Sequence, residues 1–490
     1  MKTNTLDFDA QALREKILDL AMRGKLVPQD PNDEPASVLL EKIKAEKEQL
    51  IKEKKIKKSK PLAPITDDEK PFDIPDSWEW VRLGDICISN IGVTYKPSYK
   101  VEEPTKTKIL RANNIENNQL NNKKLVFLTL DTLPDKYYLK ENDILMAVRS
   151  GSKRLVGKSA VVTHDFANYS FGAFMSKIRV IQANSYFVDY FLNSLFFREQ
   201  LRDANTTTIN QITQSMINNF VIPFPPLSEQ SRIAAKIAQL FALLRKVESS
   251  TQQYAKLQTL LKSKVLDLAM RGKLVEQDPH DEPASVLLEK IKAEKEQLVK
   301  EGKIKKSKPL PPITDEEKPF DIPDSWEWGR LGDILKPEVH KKPVKDFYYI
   351  DIASIDNQYN KVVNPKKVIV KKDKIASRAR QVLENDDILF SVVRPYLRNI
   401  AMVPKDNNYK IGTTGFYVLK PYELINRKYI FCLTLSNYTV TNMTQKMRGD
   451  NSPSIRKSDM QNLIIPIPPR MEQDKIVNMI IRIYSAINLN

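Results

Sequence analysis

Residues 71–86 read PFDIPDSWEWVRLGDI, and residues 319–334 read PFDIPDSWEWGRLGDI. These two stretches end a longer repeat, in which residues 17–86 recur as residues 265–334 with sixty-two of seventy positions identical. A shift of 248 relates the two stretches in a chain of 490 residues. Such close internal identity indicates a tandem duplication, and it predicts two structural units built on one plan.

A second phrase closes each copy of the repeat. FVIPFPPLSEQSRIAAKI begins at Phe220 and LIIPIPPRMEQDKIVNMI begins at Leu463, a shift of 243. The shifts divide the chain into two whole copies, 1–248 and 249–490, whose outer ends correspond to the internal junction. Chain ends are normally exposed and weakly structured. We therefore expect a pseudo-twofold molecule, and the alternative is two duplicated domains without mutual contact.

Between the repeated phrases the two copies diverge almost completely. Residues 87–141 and 335–385 share no useful identity, although ENDILMAV from Glu141 resembles NDDILFSV from Asn385. Short β-branched or aromatic runs alternate there with helical stretches, which predicts an α/β domain of about 150 residues in each copy. A shared scaffold with two different inserts is typical of a protein that recognises two different targets.

The predicted fold class is α/β (α+β), with two α/β domains separated by long antiparallel coiled-coil helices. The boundaries follow the repeated phrases and their flanking linkers. The predicted parts are an N-terminal helical region and linker (1–71), a first variable domain (72–227), a central helical region and linker (228–319), a second variable domain (320–470) and a C-terminal helix (471–490).

Either one long helix or two helices broken near Ser249 are predicted between the variable domains. Apolar residues follow 4-3-4-3 spacing from Ile233 to Val247, and similar spacing resumes from Tyr254 to Leu268. From Ile233 to Leu268 the rise is about 54 Å at about 1.5 Å per residue. A narrow apolar seam needs a partner helix, and the two chain ends repeat its halves and supply one running antiparallel. The alternative is that each domain buries its own part of the seam. The seam positions are Ile233, Ile237, Leu240, Leu244, Val247, Tyr254, Leu257, Leu261, Val265 and Leu268.

Composition favours a polyanionic partner. Lys and Arg outnumber Asp and Glu by 78 to 61, and the variable domains carry net charges of +3 and +9. The sequence contains no stretch of about 18 uncharged apolar residues, so no segment is predicted to span a membrane. The N-terminus lacks the apolar core of a signal peptide. Cys87 and Cys432 are the only cysteines. These features predict a cytoplasmic protein without a disulfide framework or a membrane partner.

The sequence contains no recognisable catalytic or metal-binding constellation. Residues 152–159, SKRLVGKS, resemble a phosphate-binding loop, but the first glycine lies one place too early and a strand pattern follows. The Pro-Pro phrases at 224–227 and 467–470 lack the polar residue and the aromatic ring of an amino-methyltransferase loop. No metal-ligand spacing surrounds the three histidines, His164, His280 and His340. We expect no catalytic residue, no metal ligand and no cofactor on this chain.

The doubled phrases resemble the specificity (S) subunits of type I restriction-modification systems. The resemblance rests on the PFDIPDSWEW…RLGDI opening of each variable domain, the NDIL and DDIL phrases within it, and the IPFPPLSEQ and IPIPPRMEQ phrases that lead into a helix. It covers essentially the whole chain. It implies a non-catalytic subunit with two target recognition domains, each binding one half of an asymmetric, split target in double-stranded DNA.

The same resemblance implies partners for the chain. Conserved helices between the recognition domains act as a spacer, and two methylation (M) subunits with an S-adenosylmethionine site dock on the conserved regions. Two restriction (R) subunits complete the nuclease, so that ATP and Mg²⁺ are expected on partner subunits rather than here.

DNA contacts are predicted on basic and polar loops of the variable domains. Phosphates need cations, whereas base edges in the major groove need Arg, Asn or Gln. Three loop groups meet this description: the loop after each NDIL-type strand, the loop around Arg111, and the polar run before each closing phrase. The predicted DNA-binding residues are Arg111, Asn113, Asn114, Arg149, Lys153, Arg154, Lys158, Thr207, Asn210, Arg378, Arg380, Arg394, Tyr396, Arg398, Arg448, Asn451, Ser454 and Arg456.

Other functions remain as alternatives to this interpretation. A stand-alone nuclease or methyltransferase is opposed by the missing motifs. A helical scaffold that never contacts DNA is opposed by the net charge of the divergent domains. The specificity subunit of another multi-subunit complex, or of a methylation-only complex, stays open.

Overall fold

The computed structural model of the protein describes residues 9–58, 60–130, 132–152, 155–204, 211–306 and 308–488. The chain forms two compact units, which we call the first lobe (residues 9–251) and the second lobe (residues 252–488). The division lies three residues from the junction of the sequence repeat after residue 248. The duplication predicted from sequence is therefore a structural one, whereas the finer domain boundaries stay predictions.

Some helices lie in the repeated parts of each lobe, and others lie within the variable domains. They are α1 (Ala10–Met22), α2 (Ala36–Lys52), α3 (Leu83–Ile86), α4 (Ser185–Leu192), α5 (Leu195–Ala204), α6 (Gln214–Asn219), α7 (Leu227–Met270), α8 (Ala284–Lys300), α9 (Arg427–Leu435), α10 (Asn437–Gln445), α11 (Lys457–Gln461) and α12 (Arg470–Asn488). None of these helices combines the length and the apolar character needed to cross a membrane, within the part of the chain that the structure describes.

Strands are short and numerous. In the first lobe they are β1 (Glu79–Arg82), β2 (Cys87–Ile91), β3 (Lys100–Val101), β4 (Thr107–Leu110), β5 (Ile115–Glu116), β6 (Gln119–Leu120), β7 (Val126–Leu128), β8 (Ile144–Ala147), β9 (Ser159–Val161), β10 (Ser170–Phe171), β11 (Met175–Val180) and β12 (Val221–Phe224). In the second lobe they are β13 (Glu327–Arg330), β14 (Phe347–Ile350), β15 (Ile355–Asp356), β16 (Lys361–Val362), β17 (Lys366–Val368), β18 (Ala379–Leu383), β19 (Ile388–Ser391), β20 (Ile400–Met402), β21 (Lys410–Thr413), β22 (Phe416–Leu419) and β23 (Ile464–Ile467).

The repeated opening and closing phrases pair with each other. β1 lies antiparallel to β12, with Trp80 opposite Pro223, and β13 lies antiparallel to β23, with Trp328 opposite Pro466. Each of these two-stranded ladders, which we call stems, brings the two ends of a variable domain together. The repeated sequence therefore closes the base of a domain whose interior is free to differ.

A buried set of hydrogen bonds ties each stem to the helix that follows it. The Trp78 indole Nε1 donates to Glu229 Oε2 at 2.8 Å, and Gln29 Nε2 donates to Glu229 Oε1 at 2.6 Å. Burial raises the pKa of the Glu229 carboxyl group, which is only 1% exposed. The second lobe repeats this clasp with Trp326, Gln277 and Glu472. The clasp explains why the tryptophan and the SEQ or MEQ phrase occur in both copies.

The variable domains each contain two main sheets. In the first lobe the strand orders are β2-β11-β8-β9, which is antiparallel, and β10-β4-β7-β3, in which β10 and β4 are parallel. In the second lobe the orders are β15-β16-β20-β19-β22 and β17-β14-β21-β18, in which β14 and β21 are parallel. Each variable domain thus combines helices with sheets that contain both parallel and antiparallel strand pairs. This agrees with the predicted α/β (α+β) class.

The NDIL phrase forms a turn and a buried ion pair. Asn142 has a left-handed φ of 66°, and the buried Asp143 accepts two hydrogen bonds of 2.7 Å from Arg179. The second lobe places Asp386, Asp387 and Lys420 in the same arrangement. This phrase therefore positions the strand that follows it.

The apolar seam of α7 is buried at its two ends and exposed in its middle. α7 is continuous through residue 249, and Ile233 and Val265 are buried as predicted. The prediction is wrong for four seam positions, which are 44%, 45%, 62% and 48% exposed: Val247, Tyr254, Leu257 and Leu261.

The helices packed on α7 explain the exposed middle. In the first lobe, Arg14 of α1 forms an ion pair with Glu248 at 2.6 Å, and Asp33, which follows α1, forms one with Arg232 at 2.6 Å. The chain from Arg14 to Asp33 therefore runs antiparallel to α7. In the second lobe, α12 also runs antiparallel, because Tyr484 contacts Lys262 and Glu472 contacts Gln277. Within the described residues, each helix therefore covers the half of α7 in its own lobe.

Candidate nucleic-acid interface

Loops distant in sequence meet at the end of β8 in the first lobe. We call residues 148–152, 172–174 and 211–212 the first recognition edge. Val148 N donates to Phe174 O at 2.9 Å, and Ile212 N donates to Val148 O at 2.8 Å. Arg149 also pairs with Gln211 in a β-bridge. The loop after the NDIL strand and the segment before the closing phrase, which were predicted separately, thus lie side by side.

Arg149 and Phe174 are both exposed at this edge. The Arg149 guanidinium lies 5.3 Å from the centre of the Phe174 ring, which is 57% exposed. A cation over an aromatic face is attracted by the ring quadrupole, so the contact orients the guanidinium while leaving it at the surface. Sequence analysis missed Phe174, because an aromatic residue before a strand usually belongs to the core.

The loop around Arg111 joins the same edge through the backbone. Gly172 N donates to Leu110 O at 3.1 Å, so the end of β4 lies beside the turn that carries Phe174. Arg111 is half-buried and donates from Nη2 to Lys124 O at 3.2 Å, whereas Asn113 is exposed. All three predicted loop groups therefore reach one region of the first lobe.

The prediction for Asn114 is wrong. Its side chain is fully buried and accepts a hydrogen bond from Arg111 N at 2.9 Å. Its amide nitrogen donates to Lys123 O at 2.7 Å and to Asn121 O at 3.1 Å. An amide whose hydrogen bonds are satisfied inside the protein holds the loop and does not reach DNA.

The second lobe builds an edge on the same backbone pattern. We call residues 392–398, 413–415 and 448–456 the second recognition edge. Val392 N donates to Gly415 O at 2.9 Å, and Ile455 N donates to Val392 O at 2.9 Å. These bonds correspond to those of Val148 in the first lobe. The backbone is shared, but Gly415 stands where the first edge has a phenylalanine.

A tight turn carries the exposed groups of the second edge. Arg394 has a left-handed φ of 48°, its N donates to Pro453 O at 2.9 Å, and its Nη2 donates to Asn451 O at 2.9 Å. Pro395 is buried beneath the turn, and Tyr396 at the tip is 48% exposed. Arg394 and Tyr396 are therefore held at the surface by a fixed backbone.

Arg378 lies beside this edge just before β18, and Arg380 lies in β18. Thr414 N donates to Arg378 O at 2.9 Å, which places Arg378 beside residues 413–415. Arg380 Nε donates to Ser377 O at 3.0 Å. Both side chains are exposed, as a contact with DNA requires.

Arg398 is a correction to the predicted set. Its Nη1 donates to Leu435 O at 2.6 Å and its Nη2 to Asn437 Oδ1 at 2.5 Å. Burial lowers the pKa of this guanidinium. Leu435 ends α9, so Arg398 satisfies a carbonyl at a helix C-terminus, where a cation is favourable. Arg398 thus anchors the turn that presents Tyr396.

The segment before the second closing phrase is itself well ordered. Arg448 and Ser454 exchange backbone hydrogen bonds of 2.9 and 3.0 Å, which fixes this loop. Arg448 forms an ion pair with Asp459 at 2.7 Å, and this bond lowers the pKa of the Asp459 carboxyl group. Asn451 and Arg456 are exposed beside it.

The remaining predicted residues belong to the first lobe. Lys158 is half-buried, and its carbonyl accepts from Ala147 N at 2.8 Å. Four predicted positions lie outside the described residues: Lys153, Arg154, Thr207 and Asn210.

The chemistry available at both edges is that of binding. Guanidinium groups supply bidentate donors that match guanine edges and phosphates, and exposed rings supply apolar contact. Across the described ranges, no group of three or more His, Cys, Asp or Glu side chains is arranged to hold a metal ion.

Comparison with known proteins gives a consistent result. The family described as "Type I restriction modification DNA specificity domain" matches residues 75–258 and 323–490. The type I restriction enzyme EcoAI specificity subunit of Escherichia coli is 32% identical over 533 residues, covering 96% of this chain and 88% of that protein. The EcoEI specificity subunit of Escherichia coli is 35% identical over 388 residues, covering 67% of this chain and 62% of that protein.

Two solved structures share the fold. A chain from a study of complex assembly and conformational transition of the type I restriction-modification system superposes with a TM-score of 0.54 and 21% identity, covering 85% of this chain and 92% of that one. The HsdS subunit from Thermoanaerobacter tengcongensis superposes with a TM-score of 0.51 and 20% identity, covering 86% of this chain and 93% of that one.

Proposed function

The chain belongs to the family of type I restriction-modification DNA specificity subunits, and from this premise we propose that each recognition edge reads one half of a two-part DNA target. One observation carries the proposal: the two edges share a backbone hydrogen-bond pattern but present different side chains. Arg149 and Phe174 project from the first edge, whereas Arg394 and Tyr396 project from the second. Unlike edges recognise unlike half-sites, so the target is asymmetric.

Recognition at each edge combines two kinds of contact. Arg149 and Arg394 each present a guanidinium in a fixed orientation, which suits bidentate hydrogen bonding to O6 and N7 of guanine in the major groove. Phe174 and Tyr396 supply apolar surface next to these cations, which suits contact with a thymine methyl group. Arg378, Arg380 and the neighbouring polar groups contact phosphates and set the register.

The chain acts with methylation and restriction subunits, as specificity subunits of this family do. We propose two of each, with S-adenosylmethionine, ATP and Mg²⁺ bound by these partners and the chemistry carried out there. Apolar side chains exposed on α7 support docking of partner helices, Leu243 in the first lobe and Leu257 and Leu260 in the second. DNA modification takes place in the cytoplasm, which is the compartment we propose.

Selection from a random duplex library tests the reading role of the edges. The purified chain is expected to enrich a two-part motif. Arg149→Ala should relax one position in one half of the motif, and Arg394→Ala should relax one position in the other half, each at a cost of about 1–3 kcal/mol.

Lys42→Ala serves as the matched control, because this exposed lysine lies on α2 and pairs with Glu34. It should leave the motif intact. Equal losses on selected and random DNA for both arginine variants would contradict their assignment as base-reading residues.

A further inference from the structure

Each lobe carries the same lysine-rich segment outside its variable domain. Residues 52–60 read KEKKIKKSK, and residues 300–308 read KEGKIKKSK; we call them the first and second lysine runs. The first run holds six lysines and one glutamate, and the second holds five lysines and one glutamate. Neither run belongs to a recognition edge.

Ordered structure holds the first run on both sides. It begins at the C-terminus of α2, where Lys55 N donates to Leu50 O at 2.9 Å and closes the last turn. Beyond the run, Arg82 donates from Nε to Ala63 O at 3.1 Å and from Nη2 to Pro64 O at 3.0 Å. The second run is held by matching bonds of Lys303, Arg330, Pro311 and Pro312. The lysines are therefore displayed from fixed points.

Most of this positive charge is not neutralised within the described residues. Lys55 forms an ion pair with Glu53 at 2.7 Å. Lys57, Lys58 and Lys60 are exposed, and they form no ion pair within the described parts of the chain. They also lie beyond the last turn of α2, where the helix dipole no longer favours a cation. Clustered like charges repel one another, so an external anion near these lysines would stabilise the run.

We propose that the two lysine runs bind the phosphate backbone of duplex DNA without regard to sequence. The inference rests on the proposed function and adds a second contact to the recognition edges. The runs are nearly identical in the two lobes, whereas the edges differ. Phosphates are the same at every base pair and carry no sequence information, so a phosphate contact has no reason to differ between the lobes.

The composition of the runs favours DNA over a protein surface. A protein partner is normally held by buried aromatic or arginine anchors. The runs contain neither, and their apolar residues, Ile56 and Ile304, are half-buried. The backbone nitrogens of these two residues donate to Leu50 O and Leu298 O at 3.3 Å. Exposed lysines without an apolar anchor match the evenly spaced charges of a nucleic-acid backbone.

A charge-matched pair of variants tests the proposal on the full-length chain. The run variant replaces six lysines by glutamine: Lys57→Gln, Lys58→Gln, Lys60→Gln, Lys305→Gln, Lys306→Gln and Lys308→Gln. The control removes the same charge elsewhere in both lobes: Lys25→Gln, Lys42→Gln, Lys44→Gln, Lys273→Gln, Lys290→Gln and Lys292→Gln. All of these side chains are exposed, so both variants should fold, and circular dichroism checks this.

Affinity is measured for a duplex selected by the wild-type chain and for a random duplex, at several salt concentrations. The run variant should bind both duplexes about tenfold more weakly or worse, with a salt dependence reduced by about 0.9 in slope for each lysine that contacts a phosphate. The ratio between selected and random DNA should not change. The control variant should bind like the wild type.

The outcomes separate this inference from the proposed function. If the run variant binds both duplexes as tightly as the control, the inference is overturned, whether or not the runs contact an acidic protein. If the wild-type chain selects no motif, the proposed reading function fails. The inference about the lysine runs is then tested with random DNA alone. A lower affinity of the run variant than of the control variant for random DNA would still support it.

Discussion

The C-terminal ends of α2 and α8 are nearly identical in sequence, but they differ at the residue that follows in the left-handed conformation. Lys54 follows α2 with a left-handed φ of 57°, and Gly302 follows α8 with a φ of 68°. A side chain in this conformation costs roughly 1–2 kcal/mol, which glycine avoids. Lys54→Gly should therefore stabilise the first lobe by about 1 kcal/mol, measured by chemical unfolding of the full-length chain.

The second copy provides the reciprocal test of this position. A Cβ at Gly302 meets no atom within 4 Å, so only the backbone conformation opposes a side chain there. Gly302→Lys should destabilise the second lobe by about the amount that Lys54→Gly gains. If Lys54→Gly and Gly302→Lys changed the free energy of unfolding in the same direction, side-chain contacts rather than backbone strain would determine the effect.

Asp189 gives the first lobe a pH-dependent stability. The carboxylate is buried and accepts a hydrogen bond from Ser159 Oγ at 2.6 Å, and burial raises the pKa of Asp189 to about 7. A raised carboxyl pKa means that the folded state binds the proton more tightly than the unfolded state does. The contribution of Asp189 to stability is therefore fully present at and below the ordinary pKa of 3.8, and it is lost as the pH rises through about 7.

Asp189→Asn removes this ionisation and keeps the acceptor for Ser159. The difference in melting temperature between variant and wild type should shift in favour of the variant between pH 5 and pH 8. A difference that stays constant over this range would mean that Asp189 does not change its charge on folding.

Sequence could identify the candidate loops but not which of their side chains reach the surface. Asn113 and Asn114 are adjacent and chemically identical, yet one is exposed and the other is fully buried with its amide satisfied. Arg394 and Arg398 flank one turn, yet Arg398 is committed to α9. Burial depends on the packing of distant segments, which local sequence patterns do not encode.

At the scale of elements, the clasp between the stem and α7 should contribute to the free energy of unfolding of each lobe. Trp78→Phe keeps most of the ring but removes the donor to Glu229, leaving a buried carboxylate with one hydrogen bond fewer. This change should cost about 1–3 kcal/mol. Chemical unfolding of the full-length chain measures it.

Trp80→Phe is the control for the clasp. Trp80 lies two residues away, is half-buried, and packs against Phe72 and Phe196 through its ring. Its replacement by phenylalanine keeps most of this contact and should cost less than Trp78→Phe. A greater loss at Trp80 would assign the stability to ring packing instead of the buried hydrogen bond.

Repeated elements were predictable, and the covering of α7 was not. The phrases around β1, β12, β13 and β23 occur twice, so sequence could show that they belong to the scaffold, and their pairing follows from closing each domain. Apolar spacing continues up to Val247 and again from Tyr254, on both sides of the polar residues 248–253, yet Val247 and Leu257 are exposed. Spacing predicts which face of a helix is apolar, but it does not predict where the packed helix ends.

At the scale of the whole molecule, α7 is the continuous chain segment that leads from the first lobe to the second. Contacts of Arg14 with Glu248 lie in the first lobe, and contacts of Gln258 with Ile487 lie in the second. A heptad inserted after Thr251 falls between these two sets, so each lobe keeps its own contacts. It lengthens the helix by about 10 Å and keeps the apolar face within about 20°.

If α7 sets the spacing of the two half-sites, a helical heptad inserted after Thr251 should lengthen the unread gap by about three base pairs, at about 3.4 Å each. Both half-site sequences should stay the same, because the recognition edges are unchanged. Selection from a random duplex library gives the gap directly. A glycine-serine heptad at the same place adds length without rigidity, so it should broaden the range of accepted gaps. If the helical insertion selects the wild-type gap, α7 is only a tether, and the partner subunits set the spacing.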